Sequence, residues 1–294
     1  MNKPITFSFI GGDLRQMRAA AMLASEGFYI RIFGIDMPLG NMPKNIIPST
    51  SAEDCARAAD AIVLPLPYSS DGGIHINSPL FNSPIECSSI FSSAGEDTII
   101  FAGKIDNALE KLAGETISRV IDYAKREEFA IMNAIPTAEG AISIAMNNTP
   151  YMLKDSNCLV IGYGRIGKIL SARLLSLGAK VTATARKYRD LAWISANGCI
   201  PAKTNEVFEI AGEYDIIFNT VPQRILDFRA LSATKKDVLI IDLASKPGGV
   251  DFDVAEALER RVIWALSLPG KIAPDTAGKI IKDTLLNILE ELGV

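Results

Sequence analysis

Short apolar runs alternate with amphipathic stretches along almost the whole chain. Residues 5–10, 28–33, 61–64 and 98–102 form such runs in the first half, and 216–219, 238–243 and 262–265 in the second. They are too short for helices and nearly continuous in apolar character. That pattern predicts strands of parallel sheets, buried on both faces. Between them, residues 14–25 predict a helix after the turn Gly11-Gly12-Asp13. Residues 126–146 predict a helical stretch interrupted at Pro136, where a helix restarts because proline fits a first turn. The stretch ends before Asn147-Asn148-Thr149-Pro150, a natural hinge. The last helix, 277–292, places Ile280, Ile281, Leu285, Ile288, Leu289 and Leu292 on one stripe. It is expected to cross back onto the first domain. The fold class is therefore α/β: two doubly wound (Rossmann-like) parallel-sheet domains with a cleft between them. The expected domains are 1–148, joined by 275–294, and 149–274.

The segment 157–187 sharpens this picture. It reads as a strand, the turn Gly162-Tyr163-Gly164-Arg165-Ile166-Gly167, an amphipathic helix and a second strand ending on Arg186-Lys187. In a dinucleotide-binding unit, Gly162 allows the tight turn and Gly164 lets amides approach a pyrophosphate. Gly167 lets the helix pack on its strand. The phosphates then sit at the positive end of the helix beginning near Arg165. The second strand carries no acid at its end. A carboxylate there would repel a ribose 2′-phosphate, whereas Arg186 can pair with it and Lys187 adds a mobile charge. NADP is expected in preference to NAD. Thr220, Val221 and Pro222, with Ala244 and Ser245, follow later strands and are expected along the same cofactor.

Composition narrows the class. The chain has 294 residues, 48% of them apolar, and a net charge of −4. It can fill sizeable cores, and it lacks the basic footprint that nucleic acid requires. No signal-peptide pattern and no uninterrupted apolar span for a bilayer are read, so a cytoplasmic protein without membrane or nucleic-acid partners is expected. An assembly of identical chains is also expected. Cys55, Cys87, Cys158 and Cys199 form no C-x-x-C pair, which argues against zinc or a disulfide scaffold. Cys87 lies in a Ser-rich segment and can be exposed.

Residues 65–94, rich in Pro, Ser, Gly and Asn, predict a functional loop over a site. It includes Ser69, Ser70 and Asp71, a polar stretch after a strand. Gly11, Gly12 and the following helix start can seat a carboxylate, or can be a nucleotide turn retained for packing. In the Pro136–Ala141 segment, Thr137 can bond a substrate and Glu139 can act as acid or base if burial raises its pKa. Alternatively, Glu139 favours a first helical turn through the macrodipole. Lys246 and the Leu268-Pro269-Gly270-Lys271 turn follow strands on the same edge. The single histidine, His75, lies in the first-domain loop and reads as a surface residue. No histidine late in the chain exists to serve a 2-hydroxy-acid alcohol.

Five stretches together, FIGGDLRQ (9–16), AIPTAEGA (134–141), VIGYGRIGK (160–168), IDLASKPGGVDF (241–252) and WALSLPGKIAPDTAG (264–278), resemble the family of dipicolinate synthase A subunits. The resemblance spans nearly the whole chain. It implies NADP-dependent aromatisation of dihydrodipicolinate, arising from 4-hydroxy-tetrahydrodipicolinate of the lysine pathway, to dipicolinic acid. It also implies a flavoprotein-like B subunit as partner and work in the mother cell of a sporulating bacterium. A dicarboxylate substrate then calls for amide nests and cations: the Gly11-Gly12 turn, Arg15, the Ser69-Ser70 loop and Lys246, with Thr137 and Glu139 facing the same cleft. The alternatives are an NADP-dependent dehydrogenase of another small carboxylate, or a non-catalytic dinucleotide-binding protein supporting a flavoprotein.

Overall fold

The computed structural model describes residues 5–35, 43–114 and 119–294. The chain divides into two compact units, Met1–Met132 with Ala273–Val294, and Asn133–Ile272.

In the first unit, β1 (Thr6–Ile10), α1 (Leu14–Ser25), β2 (Tyr29–Phe33), β3 (Ile46–Pro48), α2 (Ala52–Arg57) and β4 (Ala61–Val63) are followed by α3 (Cys87–Ser93), β5 (Ile99–Ala102), α4 (Asn107–Gly114) and β6 (Arg119–Asp122). The strands form one parallel sheet in the order β3-β2-β1-β4-β5-β6. Phe7, Phe9 and Phe101 are fully buried within it. The final helix, α12 (Pro274–Leu292), packs against α1 and inserts Ile281, Leu285 and Leu289 into the same core. Asp13 caps α1 through a reciprocal capping box with Gln16, which fixes where that helix starts.

The second unit repeats the topology. Its elements are β7 (Asn157–Ile161), α6 (Arg165–Ser176), β8 (Lys180–Ala185), α7 (Tyr188–Ala196), β9 (Ile200–Lys203), α8 (Val207–Ile210), β10 (Ile216–Asn219), α9 (Phe228–Ala233), β11 (Leu239–Asp242), α10 (Phe252–Ala257), β12 (Arg261–Trp264) and α11 (Leu268–Ile272). The sheet order is β12-β11-β10-β7-β8-β9, again all parallel. Both sheets are therefore doubly wound. Each has its switch point beside its first strand, where ligands gather in this architecture.

These expectations need correction. The helix α5 (Glu127–Asn148) runs unbroken through Pro136 and does not restart there. Proline removes one helical bond, leaving the carbonyl of Met132 without its usual donor. The helix survives because both flanks are anchored by packing: Phe129 stacks edge-on against Tyr123, while Ala138, Ala141 and Ala145 are buried in the second unit's core. The division between units falls at Met132/Asn133, inside this helix and upstream of the expected 148/149 hinge. By length and composition alone, α5 is apolar enough to cross a bilayer; half of that stretch is buried in the fold. Second, the 65–94 segment is not loop throughout: α3 occupies its end, and Tyr68, Ile76 and Ile85 pin the rest into the core. Third, Cys87 is buried at the start of α3, and desolvation pushes its thiol up to about 12. Fourth, the Leu268–Lys271 turn is the helix α11.

Candidate active site and dinucleotide cradle

The second unit builds its cradle where β7 turns into α6. Gly162 has φ +95°, and a Cβ there would lie 2.5 Å from the Thr220 hydroxyl and 2.8 Å from Val221. The loop after β10 thus rests directly on the turn. A Cβ at Gly167 would meet the carbonyl oxygen of Gly162 at 2.1 Å, so only glycine lets α6 lie this close to β7. Gly164 is the opposite case, since a Cβ there would meet nothing within 4 Å. Gly164 is the N-cap of α6, and no side chain caps that end. An open approach to an uncapped helix N-terminus is the arrangement a pyrophosphate needs. These residues fit a dinucleotide, whose phosphates the 164–167 backbone would hold.

The side chains of this motif differ in use. Tyr163 is buried, and its hydroxyl accepts a bond from Asn197 Nδ2 at 2.9 Å. Ile166 packs on the core. Both therefore offer backbone rather than side chain. Arg165 is exposed at the helix start. At the end of β8, Arg186 and Lys187 are exposed. Lys203, the β9 partner of Ala185 in the sheet register, lies beside them with Nζ 5.1 Å from the Tyr188 ring. Arg186, Lys187 and Lys203 have no carboxylate partner among the described residues.

Two buried residues whose role sequence reasoning missed organise the neighbouring loops. Asn219 and Asp242 are fully buried and occupy paired register positions at the ends of β10 and β11. Asn219 Nδ2 donates to Asp242 Oδ1 at 2.8 Å and to the Val221 carbonyl at 3.0 Å. Asp242 also accepts from the amides of Ala244 (3.0 Å) and Gly249 (2.8 Å). The Trp264 indole donates to the Ala244 carbonyl at 3.0 Å. One polar spine therefore fixes both the 220–222 and 243–249 loops. A polar residue closing each apolar run, IIFN and LIID, was the available signal. Pro222, Ser245 and Lys246 stand exposed on these loops, while Ala244 is buried. Lys246 has no ion-pair partner among the described residues.

On α5, Thr137 is buried and its hydroxyl donates back to the Asn133 carbonyl at 2.8 Å. Glu139 is exposed and paired with Arg173 at 3.1 Å. The burial that would tune Glu139 as a base is absent, and as a mid-helix residue it does not serve a first turn either.

In the first unit, the Gly11-Gly12 turn is closed on its own chain. Gly11 N donates to Phe33 O (2.8 Å), Gly12 N to Asn77 O (2.9 Å) and Asp13 N to Gln16 Oε1 (3.1 Å). Of the two uses weighed for this turn, its amides serve packing. Arg15 is buried beside it: Nε donates to both Asp13 oxygens at 2.9 and 3.1 Å, and Nη2 donates to Asp13 Oδ2 (2.8 Å) and Leu66 O (2.6 Å). Burial works against the cation, yet the Asp13 bonds outweigh it and hold the Arg15 pKa above its ordinary value. In the loop after β4, Ser69 Oγ donates to Asp71 Oδ1 at 2.8 Å, and Asp71 Oδ2 lies 2.7 Å from His75 Nδ1. Bonds from the His75 amide and ring, and from Ser69, hold the Asp71 carboxyl far below the usual range. Ser70 is exposed. Gly12, Arg15 and the 66–77 loop are thus tied together at the carboxyl edge of the first sheet, at its β1/β4 switch point. The residues whose geometry fits a dinucleotide occupy the equivalent edge of the second.

Comparison with known proteins agrees with this division. Residues 6–124 match the N-terminal domain of the dipicolinate synthase A subunit, and 136–268 match the NAD binding domain of D-isomer specific 2-hydroxyacid dehydrogenases. The dipicolinate synthase A subunit of Bacillus subtilis (strain 168) is 32% identical over 98% of this chain and 97% of its own. The crystal structure of the corresponding subunit from Bacillus halodurans is similar at TM-score 0.90, with 29% identity over 97% of both chains. That of the Bacillus subtilis protein is similar at TM-score 0.89, with 31% identity over 100% of this chain and 98% of the other. With a nicotinamide-dinucleotide domain shown and the whole chain matched, this protein is a dinucleotide-dependent oxidoreductase that belongs to the family of dipicolinate synthase A subunits.

Proposed function

We propose that this chain oxidises dihydrodipicolinate, formed from 4-hydroxy-tetrahydrodipicolinate, to dipicolinate with NADP⁺ as acceptor, working with a flavoprotein-like B subunit in a sporulating mother cell. The observation that carries the cofactor choice is the trio Arg186, Lys187 and Lys203 beside the glycine turn, with no acid at the end of the second strand to meet a ribose hydroxyl and, among the described residues, none paired with them. The dinucleotide supplies a hydride acceptor. One hydride leaves a ring carbon and one proton leaves to a base, converting the dihydropyridine to an aromatic pyridine. Aromatisation supplies driving force, so the chain's task is to orient the ring and exclude water.

Arg15 binds one substrate carboxylate through the part of its guanidinium that Asp13 leaves free. Lys246, with no ion-pair partner among the described residues, stands on a loop of the second unit that Asp242 holds. Ser69, Ser70 and Asp71 line the same substrate region of the first unit. The Asn219–Asp242 spine keeps Thr220, Val221, Pro222, Ala244 and Ser245 in fixed positions along the cofactor.

The test is an assay of the purified chain, alone and with its B partner, supplied with the lysine-pathway intermediate and either NADP⁺ or NAD⁺. Growth of pyridine-dicarboxylate absorbance together with NADPH is the expected result. A preference for NAD⁺ would overturn the reading of the basic trio. Tight NADP⁺ binding with no product under either condition would overturn the proposed substrate.

A further inference from the structure

Arg15 is an unusual residue to find at the first turn of a helix. A cation there opposes the positive end of the macrodipole, and its side chain is only 9% exposed. It is tolerated because Asp13 does two jobs with one carboxylate. Oδ1 accepts the Arg15 backbone amide at 2.9 Å and so caps α1, while both oxygens grip the guanidinium through Nε and Nη2. Leu66 O holds Nη2 from the other side. That clamp fixes the guanidinium plane and leaves Nη1 without a partner among the described residues. Gln16 Nε2, in the same turn, is likewise buried with no bond.

We propose that Asp13 is a positioning residue that holds Arg15 so that its Nη1 edge receives a carboxylate of the substrate; this rests on the assignment of Arg15 as a carboxylate binder made above. An unclamped arginine has several free torsions, and ordering them on binding weakens the complex. Because Asp13 also cancels the net charge of Arg15, recognition depends on the direction of the Nη1 donors rather than on bulk attraction. Losing that direction therefore removes most of what Arg15 contributes.

The alternative is that Asp13 only caps α1, and serine at this position separates the two. Serine keeps a cap acceptor but cannot span the guanidinium. The full-length chain, saturated with NADP⁺, is titrated calorimetrically with pyridine-2,6-dicarboxylate, and its melting is followed in parallel. Arg15→Met is expected to weaken dicarboxylate binding by roughly 30-fold or more, and Asp13→Ser by about tenfold, as loss of an oriented charge-assisted bond implies. NADP⁺ affinity stays at the wild-type value in both. Asp13→Asn, which retains the cap and one acceptor for the guanidinium, should fall between wild type and Asp13→Ser.

If Arg15→Met binds the dicarboxylate like wild type, the assignment of Arg15 itself is wrong. If Arg15→Met weakens binding and Asp13→Ser does not, Asp13 is a cap alone and the proposal is overturned. Should Asp13→Ser fail to fold, Asp13→Asn decides: wild-type affinity overturns the proposal, and a partial loss at unchanged melting temperature upholds it.

Discussion

The two units share one strand order but use the turn after their first strand in opposite ways. In the second unit, Gly164 leaves the N-terminus of α6 uncapped and open. In the first, Asp13 fills the N-terminus of α1 with the chain's own carboxylate, and the Gly11 and Gly12 amides are spent on Phe33 and Asn77. An anion cannot occupy a helix end that already holds one. Topology thus supplies two equivalent edges, and the residue at the N-cap decides which of them takes phosphate.

The largest effect should come from Gly167→Val. Its Cβ would meet the Gly162 carbonyl, forcing α6 away from β7. Dinucleotide binding, followed by fluorescence titration, should fall by roughly 100-fold or more, with a lowered melting temperature. Wild-type binding would mean that close packing of this helix is not what shapes the cradle.

Gly164→Asp copies the first unit's cap into the second. The open space around Gly164 accepts the side chain, and an aspartate cap should stabilise the free protein by about a few tenths of a kcal/mol. The same carboxylate repels pyrophosphate, so NADP⁺ affinity should drop by more than about tenfold. Stability and affinity moving in opposite directions is the signature to look for. A rise in both would dismiss the contrast between the turns.

The double variant Arg186→Ala/Lys203→Ala should lower NADP⁺ affinity by about 10- to 100-fold while leaving NAD⁺ within about twofold. Equal losses for both dinucleotides would show that these cations act on something other than the 2′-phosphate.

The smallest effect concerns the first unit's loop. Asp71 is held below its ordinary pKa in the folded chain, so it contributes stability above about pH 4 that disappears as the pH falls toward the folded value. His75→Ala removes the ring bond, one of the contacts responsible for that depression, and leaves the backbone amide in place. The acid-side decline in melting temperature should become shallower. An unchanged profile would mean that the Asp71–His75 pair is not maintained in solution.

Much of the second unit was legible in order along the chain. The glycine spacing, the apolar runs and the basic pair after β8 are local features, and local features fix turns, strands and helix starts directly. The first unit was harder to read. Its turn looked like an anion site because Gly11 and Gly12 are present. Those amides are engaged by Phe33 and Asn77, which lie far away in sequence. Glu139 looked like a base until the fold left it exposed against Arg173. The serines around Cys87 left open whether it is exposed, and α3 turned it inward.

By itself the sequence determined the two α/β repeats, the position of the dinucleotide turn and the charge waiting beside it, because each depends on residues within a few positions of one another. Tertiary structure decided the rest. It joined Asn219 to Asp242 across adjacent strands and carried α5 through Pro136 by burying both of its flanks. It chose α1 as the helix that the returning α12 covers, and it closed Leu66 onto Arg15. Burial and hydrogen-bond partnership are set by neighbours that only the folded chain brings together, so their consequences for chemistry appear with the fold.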